Sequence, residues 1–296
     1  MIAAIVILYN PDSQLLDRLI ESLAGQADAI YLIDNTPDIW ERPTYQENRL
    51  LKYHPLGENV GIAKAQNIGM ELAAKDGANW FLLLDQDSAL SEGMVQGLQA
   101  ASLQLEQRGV KVAAVGPLFL DEKSGVYADA VRHGALGVKK IRLNPSLAKE
   151  VETDYIIASG SLIRAEALAG IGGMMEELFI DWVDIEWGLR AKAMGYKSYI
   201  IPSIVMRHSI GDTYIRVLGR EINLHNQIRN YYIVRNAAYL LRKGYMGWRW
   251  QVATCLRLPK YVVVYSCFSP ARLHNFFSLL RACIDGLTGR LGPVKL

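Results

Sequence analysis

Two aspartates placed two positions apart, Asp85 and Asp87, directly follow an apolar run at residues 80–84. The run is typical of a short strand buried on both faces. In extended backbone, side chains two positions apart project to the same side, so this strand would end in a pair of carboxylates. Hard divalent ions that also contact substrate phosphates prefer such ligands. A polar strand end followed by a helix cap at Ser88 is the alternative, and the pair alone does not decide between them.

A second acidic cluster consists of Asp181, Asp184 and Glu186, which stand among aromatic and aliphatic residues ahead of a predicted helix. Glu186 and Arg190 are four positions apart, the spacing of an ordinary helix salt bridge. Asp184 stands where an aspartate can cap the helix, which involves no chemistry. These two roles would explain the cluster without any catalytic function.

The remaining residues predict the elements that position these clusters. Apolar runs at 2–8 and 29–33 flank a segment with helical spacing, which makes a β-α-β unit and implies a parallel sheet with a right-handed crossover. Residues 119–148 show no strong hydrophobic periodicity and are expected to form irregular segments at the edge of the site. Further strands are predicted at about 50–53, 80–84, 110–115, 155–164 and 196–205, and further helices at about 61–75, 94–105, 184–190 and 224–241.

Ligands of such sheets bind outside the carboxyl ends of the strands. Asp34 follows the second predicted strand, where it either forms a turn or accepts a hydrogen bond from a base or a ribose. The loop at 58–69 combines small residues with the start of a helix, a combination that favours an anion. It lacks the Gly-Lys-Ser/Thr ending of a Walker phosphate loop, so it is weak evidence alone.

Four short motifs occur in order along the first ninety residues: Leu8-Tyr9-Asn10, Ile33-Asp34-Asn35, Asn59-x-Gly61 with Asn67-x-Gly69, and Leu84-Asp85-Gln86-Asp87. The series resembles the GT-A nucleotide-sugar domain of the inverting family-two glycosyltransferases. Within that family it is most similar to bacterial rhamnosyltransferases of polysaccharide and O-antigen assembly. The resemblance covers about residues 1–240.

The resemblance implies an α/β, GT-A (Rossmann-like) fold with a mostly parallel sheet and a C-terminal helical appendage. Residues 1–221 would form the domain that binds nucleotide sugar and acceptor, and 222–296 a basic, aromatic-rich helical region. The nucleotide sugar would contact Tyr9, Asn10, Asp34, Asn35, Asn59, Gly61, Asp85 and Gln86, and the acceptor Gly160, Ser161 and Trp182.

The resemblance also implies the catalytic groups. Inversion requires one carboxylate to remove the proton of the acceptor hydroxyl, and the family's base corresponds to Asp184, with Asp181 as second choice. The metal ligands would be Asp85, Asp87 and His208, which follows Asp184 by 24 residues. Carboxylates with one imidazole suit Mn²⁺ or Mg²⁺.

The expected activity is transfer of L-rhamnose from dTDP-L-rhamnose to a hydroxyl of a lipid-linked bacterial polysaccharide or O-antigen intermediate. Another nucleotide sugar, such as UDP-galactofuranose or a UDP-hexose, is an alternative within the family. A nucleotidyltransferase would use a similar sheet but should carry a basic, Gly-rich signature near residue 9, which is missing. A non-catalytic membrane-associated scaffold would leave the ordered acidic motifs unexplained.

Acidic and basic residues are distributed unevenly along the chain. With 51% hydrophobic and 21% charged residues, the chain is neither disordered nor a coiled coil, and a net charge of +2 does not indicate a nucleic-acid partner. Residues 1–221 hold 21 basic and 29 acidic side chains (net −8), whereas 222–296 hold 11 and 1 (net +10). Basic segments rich in Trp and Tyr favour the membrane interface; a homo-oligomer interface and an ordinary basic surface are the alternatives.

Cysteine usage and the N-terminus bear on location. The three cysteines, Cys255, Cys267 and Cys283, fit no zinc motif, and their odd number favours reduced thiols in the cytoplasm. The apolar N-terminus lacks a basic start and a cleavage site, so it is interpreted as a strand. No run reaches the ~18 apolar residues of a membrane span. The expected location is therefore cytoplasmic and peripheral, on the inner membrane's cytoplasmic face.

Overall fold

The computed structural model describes residues 1–37, 50–121, 125–135, 137–147, 149–208, 213–217, 220–224, 226–269 and 271–294, with side chains omitted at 208 and in the last two strands. The strands are β1 (Ile2–Leu8), β2 (Ala29–Asp34), β3 (Leu51–Pro55), β4 (Trp80–Asp85), β5 (Val112–Asp121), β6 (Ala130–Gly134), β7 (Gly137–Ile141), β8 (Val151–Thr153), β9 (Ser161–Arg164), β10 (Lys197–His208), β11 (Thr213–Val217) and β12 (Arg220–Leu224). The helices are α1 (Ser13–Leu23), α2 (Ile62–Lys75), α3 (Met94–Gln107), α4 (Ala165–Ile171), α5 (Val183–Ala193), α6 (Gln227–Leu240), α7 (Trp248–Cys267) and α8 (Arg272–Thr288).

A mixed sheet of eight strands forms the centre of the molecule, in the order β3-β2-β1-β4-β9-β5-β10-β8. Six strands run in one direction, and β9 and β8 run against their neighbours. The two remaining strand pairs, β6 with β7 and β11 with β12, are antiparallel hairpins. The prediction of a mostly parallel α/β sheet followed by C-terminal helices is confirmed.

The apolar runs become strands because helices cover both faces of the sheet. Along β1, Ile5 packs in the cluster that includes α2, and its neighbour Val6 packs in the cluster that includes α1 and α3. Gly69 allows α2 to approach closely, since a Cβ there would overlap the side chain of Ile5. α1 begins after Asp12, whose carboxylate caps the helix by accepting hydrogen bonds from the N–H groups of Gln14 and Leu15.

Three sequence predictions around prolines and glycines were wrong. The strand predicted at 110–115, ahead of Pro117, continues as β5 to Asp121, because β10 has a register shift between Ile201 and Val205 beside that proline. Proline is tolerated in strands at such irregularities. For the same reason β10 passes its own proline and extends to His208. The strand predicted at 155–164 is shorter, since only β9 pairs, antiparallel between β4 and β5.

The segment predicted to lack regular structure, 119–148, contains the hairpin of β6 and β7. After the sheet, α6, α7 and α8 pack on one another around Tyr231, Val262 and Leu279. The other side of α6 joins the core beneath the sheet through Ala237 and Leu240. Among the helices of the described ranges, none is long and apolar enough to cross a membrane.

Candidate functional site

The carboxyl ends of β2, β1 and β4 lie side by side at one edge of the sheet. In the strand register Leu8 lies beside Asp34 and Ile7 beside Asp85, so both aspartates end strands that flank β1. This edge is where parallel α/β sheets bind their ligands. Three of the four motifs that were singled out in the sequence therefore converge on one place.

Gln86 joins the loop after β4 to the loop after β1. Its Oε1 accepts a hydrogen bond from the N–H of Tyr9 at 2.7 Å, and its Nε2 donates to the Tyr9 carbonyl at 3.2 Å. The next residue, Asn10, has a positive φ of 45° and donates its N–H to Thr36 Oγ1 at 2.9 Å. The backbone of Tyr9 is thus fixed while 48% of the residue remains exposed.

Asp34 is buried, and both of its oxygens already accept hydrogen bonds within the protein. Oδ1 accepts from the N–H of Thr36 at 3.0 Å, which is the turn-forming role, and Oδ2 accepts from the hydroxyl of Tyr53 at 2.6 Å. A carboxylate oxygen has a second lone pair, so a ligand donor can still be accepted. The structure thus shows the turn role directly.

The side chain of Asn35 holds the glycine loop that precedes α2. It accepts from the N–H of Val60 at 2.7 Å and donates to Asn59 Oδ1 at 3.0 Å, which in turn accepts from the N–H of Gly61 at 3.0 Å. Gly61 has φ of 85°, and a Cβ there would lie 2.6 Å from the ring of Phe179. Position 61 therefore requires glycine, and its loop packs against the loop that precedes α5.

Asp85 ends β4 and is half-buried, and Asp87 lies on the turn that follows and is exposed. Ser159, which lies two residues before β9, supports this turn. Its Oγ accepts a hydrogen bond from the N–H of Asp85 at 3.3 Å and lies 2.6 Å from Ser88 Oγ, and both serines are buried. A serine pair between two loops has no signature in a single sequence.

The donor set at this turn suits a hard divalent ion in part. Among the described side chains no group of three or more His, Cys, Asp and Glu could hold a metal. The side chain of His208 lies outside the described part of the chain. Its backbone, however, follows Arg207, which forms an antiparallel bridge with Ala89, two residues after Asp87. Two carboxylates that leave positions for phosphate oxygens are typical ligands of Mg²⁺ and its relatives.

Asp184 lies in the first turn of α5 and is not its cap. The helix is preceded by Trp182 in a left-handed conformation, and no side chain caps it. Asp184 Oδ1 accepts a hydrogen bond from the N–H of the adjacent Ile185, at 2.8 Å. The capping explanation that the sequence allowed is therefore wrong. The predicted salt bridge from Arg190 Nε to Glu186 is confirmed at 2.8 Å.

The surroundings of Asp184 favour its neutral form. Burial, together with the smaller effect of the negative charges of Asp181 and Asp85, raises the pKa of this carboxyl to about 6. Asp181 differs, because Arg229 Nε lies 3.3 Å from its Oδ1. A general base works best with a pKa near the operating pH. Of the two candidates, Asp184 has the properties of a base and Asp181 those of an ion-pair partner.

The loop before α5 is strained and is held by α6. Phe179, Asp181 and Trp182 all have positive φ, at 67°, 62° and 65°. Such conformations cost about 1–3 kcal/mol each and persist only where surrounding contacts impose them. Asn236 Nδ2 lies 2.8 to 3.0 Å from three carbonyl oxygens of residues 178, 180 and 181. The buried Arg235 donates to the carbonyls of residues 177 and 178. An Arg-Asn pair that occurs twice in α6, at 229–230 and again at 235–236, was the signal in the sequence for this contact.

An open cavity of about 820 Å³ lies between the sheet edge and the C-terminal helices. Asp85, Asp181 and Asp184 line it together with Ser159 and Trp182. Its other wall carries side chains from β7, α6 and α7: Lys140, Arg229, Ile233, Trp250, Arg257, Lys260 and Tyr261. The volume is within the range of small-ligand sites.

The three residues predicted to contact the acceptor lie at different depths. Trp182 lines the cavity. Ser161 is buried and lines a small hollow beneath it that Asp184 also borders. Gly160 has φ of 77° and packs against Met206 and Pro117, where any Cβ would be crowded. Its N–H donates to the carbonyl of Leu83 at 2.7 Å, so it positions the Ser159 loop against β4.

Comparison with known proteins connects this site to a family. Residues 3–168 match the family model described as Glycosyl transferase family 2. A dTDP-rhamnosyl transferase, RfbF, of Shigella flexneri is 31% identical over 300 residues, covering 98% of this chain and 97% of that protein. An N-acetylglucosaminyl-diphospho-decaprenol L-rhamnosyltransferase of Mycobacterium tuberculosis (strain H37Rv) is 24% identical, covering 92% of this chain and 95% of that protein.

A solved structure, GalNAc-T7 with UDP, GalNAc and Mn²⁺, superposes with a TM-score of 0.57 at 15% identity. The match covers 98% of this chain, which spans 57% of that structure. This likeness concerns the fold, and it agrees with the GT-A architecture expected from the motifs. The family match covers more than half of the residues and the relative from Shigella flexneri nearly all of them, so the chain belongs to glycosyl transferase family 2.

Proposed function

We propose that the protein transfers L-rhamnose from dTDP-L-rhamnose, with inversion, to a hydroxyl group of a lipid-linked bacterial polysaccharide or O-antigen intermediate. Two relatives that align over nearly the whole chain are named as rhamnosyltransferases, and one of those names contains a lipid diphosphate. The observation that carries the proposal is the position of Asp184, a carboxylate with a raised pKa in a cavity that Asp85 also lines.

In this proposal the loops at the sheet edge bind the nucleotide. The nucleotide contacts Tyr9, Asn10, Asn59 and Gly61. Gln86 holds the backbone of Tyr9, and Asn35 holds the loop that contains Asn59 and Gly61. Asp34 accepts a donor from the nucleoside in addition to its two internal hydrogen bonds. Because these hydrogen bonds hold the loops to one another, little ordering free energy is lost on binding.

The transfer step uses Asp184 as general base. At neutral pH its carboxylate accepts the proton of the acceptor hydroxyl as the oxygen attacks the anomeric carbon from the face opposite the nucleotide. Trp182 and Ser161 border the acceptor side, and the pair of Asp181 and Arg229 keeps a second free carboxylate from competing. Asp85, Asp87 and His208 would hold a Mn²⁺ or Mg²⁺ ion, which supplies positive charge to the departing diphosphate.

The C-terminal region, 222–296 in the proposed division, attaches the enzyme to an anionic membrane surface. Each of its last two helices carries an exposed apolar stripe: Trp248, Val252, Leu256 and Val263 on α7, and Leu273, Phe277, Leu280, Ile284 and Leu287 on α8. The spacing places each set on one helix face. Basic residues border the stripes, which is complementary to anionic lipid. The location that follows is the cytoplasmic face of the inner membrane.

The donor assignment is tested by thermal shift with a panel of nucleotide sugars, since a ligand that binds only the folded state raises its apparent stability. We expect dTDP-rhamnose to give the largest shift. Transfer to a lipid-linked sugar, with the anomeric configuration of the product read by NMR, tests the reaction. A larger shift with UDP-galactofuranose would refute the donor assignment. Retained anomeric configuration in the product would refute the inverting mechanism.

Membrane attachment is tested by cosedimentation with vesicles of phosphatidylglycerol and of phosphatidylcholine. We expect binding to the anionic vesicles that is lost in Leu256→Gln/Phe277→Gln, with unchanged thermal stability. A stable dimer in solution that the same variant dissociates, without any vesicle binding, would assign the stripes to a subunit interface instead.

A further inference from the structure

The cavity that Asp184 borders has an acidic wall and a basic wall. Asp85 and Asp184 come from the sheet side, and Arg257 and Lys260 come from α7. The other cations of the cavity are paired, Arg229 with Asp181 and Lys140 with Asp129 at 3.8 Å. Within the described ranges, no ion pair involves Arg257 or Lys260.

The two walls act on one side chain between them. Burial raises the pKa of Tyr155 far above its ordinary value, the charge of Asp184 raises it further, and the charge of Arg257 lowers it. Tyr155 therefore lies within electrostatic reach of both groups. Its ring also packs edge-on against Trp250 of α7, with 6.1 Å between ring centroids. A ligand that fills this part of the cavity contacts both walls.

α7 has two functional faces. At 100° per residue, Trp250, Arg257 and Tyr261 fall within a narrow sector, and all three line the cavity. The apolar stripe of α7 lies on nearly the opposite side of the helix and is open to solvent. Lys260 lies between the two sectors. One helix thus connects the active-site cavity to the surface that faces lipid in the proposed function.

We propose that Arg257 and Lys260 form a subsite for the diphosphate that links the acceptor sugar to its lipid carrier. The inference rests on the proposed function and specifies how the same site recognises its acceptor. A diphosphate is repelled by the Asp184 carboxylate and attracted by Arg257 and Lys260, which have no ion pair within the described ranges, whereas a sugar hydroxyl must approach Asp184. Charge-assisted hydrogen bonds to phosphate are strong and directional. The charge distribution orients the acceptor with its lipid towards α7 and its sugar towards the base.

The test compares two acceptors and two pairs of substitutions. The acceptors are N-acetylglucosamine linked to farnesol through a diphosphate and the same sugar linked to farnesol directly. The variants are Arg257→Gln/Lys260→Gln and, as a control for charge, Lys75→Gln/Lys111→Gln. Lys75 ends α2 and Lys111 precedes β5, so both lie at the opposite edge of the sheet.

We expect the cavity variant to raise KM for the diphosphate acceptor by about 10-fold or more, the usual effect of losing charge-assisted contacts. Its KM for dTDP-rhamnose and its rate with the direct glycoside should stay within about twofold of the wild type. The control variant should match the wild type with both acceptors.

Three outcomes would overturn the subsite. These are an unchanged KM for the diphosphate acceptor, an equal rise in KM for both acceptors, and a rise in KM for the donor alone, which would assign the two cations to the donor diphosphate. Failure of the proposed function is distinguishable, because the wild type would then transfer rhamnose to neither acceptor. Circular dichroism of the variant confirms that lost activity is not lost folding.

Discussion

Replacing Asp184 by Asn should make the protein more stable and much less active. The carboxyl is held where burial and the charges of Asp181 and Asp85 disfavour its ionised form. Asn has nearly the same shape, and its Oδ1 can still accept the hydrogen bond from the N–H of Ile185. The substitution therefore removes the charge and the base while leaving the start of α5 in place.

The size and the sign of the stability change follow from the pKa. The ordinary value of 3.8 rises to about 6 in the folded protein. Each unit corresponds to ~1.4 kcal/mol, so the ionised carboxylate reduces the free energy of unfolding by roughly 3 kcal/mol at most. Because the folded pKa is the higher one, this loss is full above pH 6 and absent below pH 4. The variant should exceed the wild type in stability at pH 8 and equal it near pH 4.

The activity follows the same ionisation. In the wild type kcat/KM should fall about tenfold per pH unit below pH 6, as the base becomes protonated. In Asp184→Asn, kcat should drop by roughly 10²- to 10⁴-fold while dTDP binding persists. Urea unfolding at pH 8 and pH 4, calorimetry of dTDP binding and initial rates measure these three quantities. Asp17→Asn, an exposed aspartate on α1, is the matched control and should change none of them. A variant that is destabilised at pH 8, or that keeps near-normal kcat, would refute the reasoning.

Three further changes address the parts that hold the site. Asn236→Ala should lower the free energy of unfolding by roughly 2–3 kcal/mol in urea unfolding, because three carbonyl contacts are lost. It should also reduce kcat, because the loop before α5 relaxes. Full activity would contradict the link between these contacts and the position of Asp184. Gly61→Ala should weaken dTDP binding in calorimetry and lower Tm, since its Cβ would lie 2.6 Å from Phe179 at a positive φ; Gly57→Ala, with open space around it and the same sign of φ, separates steric overlap from backbone strain. Removal of divalent ions with EDTA should weaken dTDP binding about tenfold or more, and Mn²⁺ should restore it; equal affinity with and without metal would exclude the metal role of Asp85 and Asp87.

The sheet was predictable because its strands are uniformly apolar. β1, β2 and β4 are buried on both faces, and a continuous apolar run is what such burial selects. The same rule placed the end of β5 too early. A proline usually indicates the end of a strand, and only the neighbouring strand shows that β5 continues past it. The shift in β10 that accommodates Pro117 lies more than eighty residues away along the chain. Local patterns hold no information on such long-range compensation.

The site was predictable where its residues directly follow strands and unpredictable where they act through contacts across the fold. Asp34, Asp85 and Gln86 sit at strand ends, so their meeting follows from a parallel sheet. Ser159 reaches Asp85 across 74 positions and Asn236 reaches the loop before α5 across 55 to 58 positions. No spacing rule connects residues that far apart.

Several energetically unfavourable features lie in the short segment that ends at the proposed base, Asp184. Three non-glycine residues with positive φ and a carboxyl with a raised pKa lie within residues 179–184. Part of the compensation comes from α6, because Asn236 donates to the carbonyls of Ile180 and Asp181 and Arg235 donates to that of Leu178. Arg235 also donates to the carbonyl of Gly292, just beyond α8. The C-terminal helices therefore do more than offer an outer surface, since they impose the conformation in which Asp184 stands.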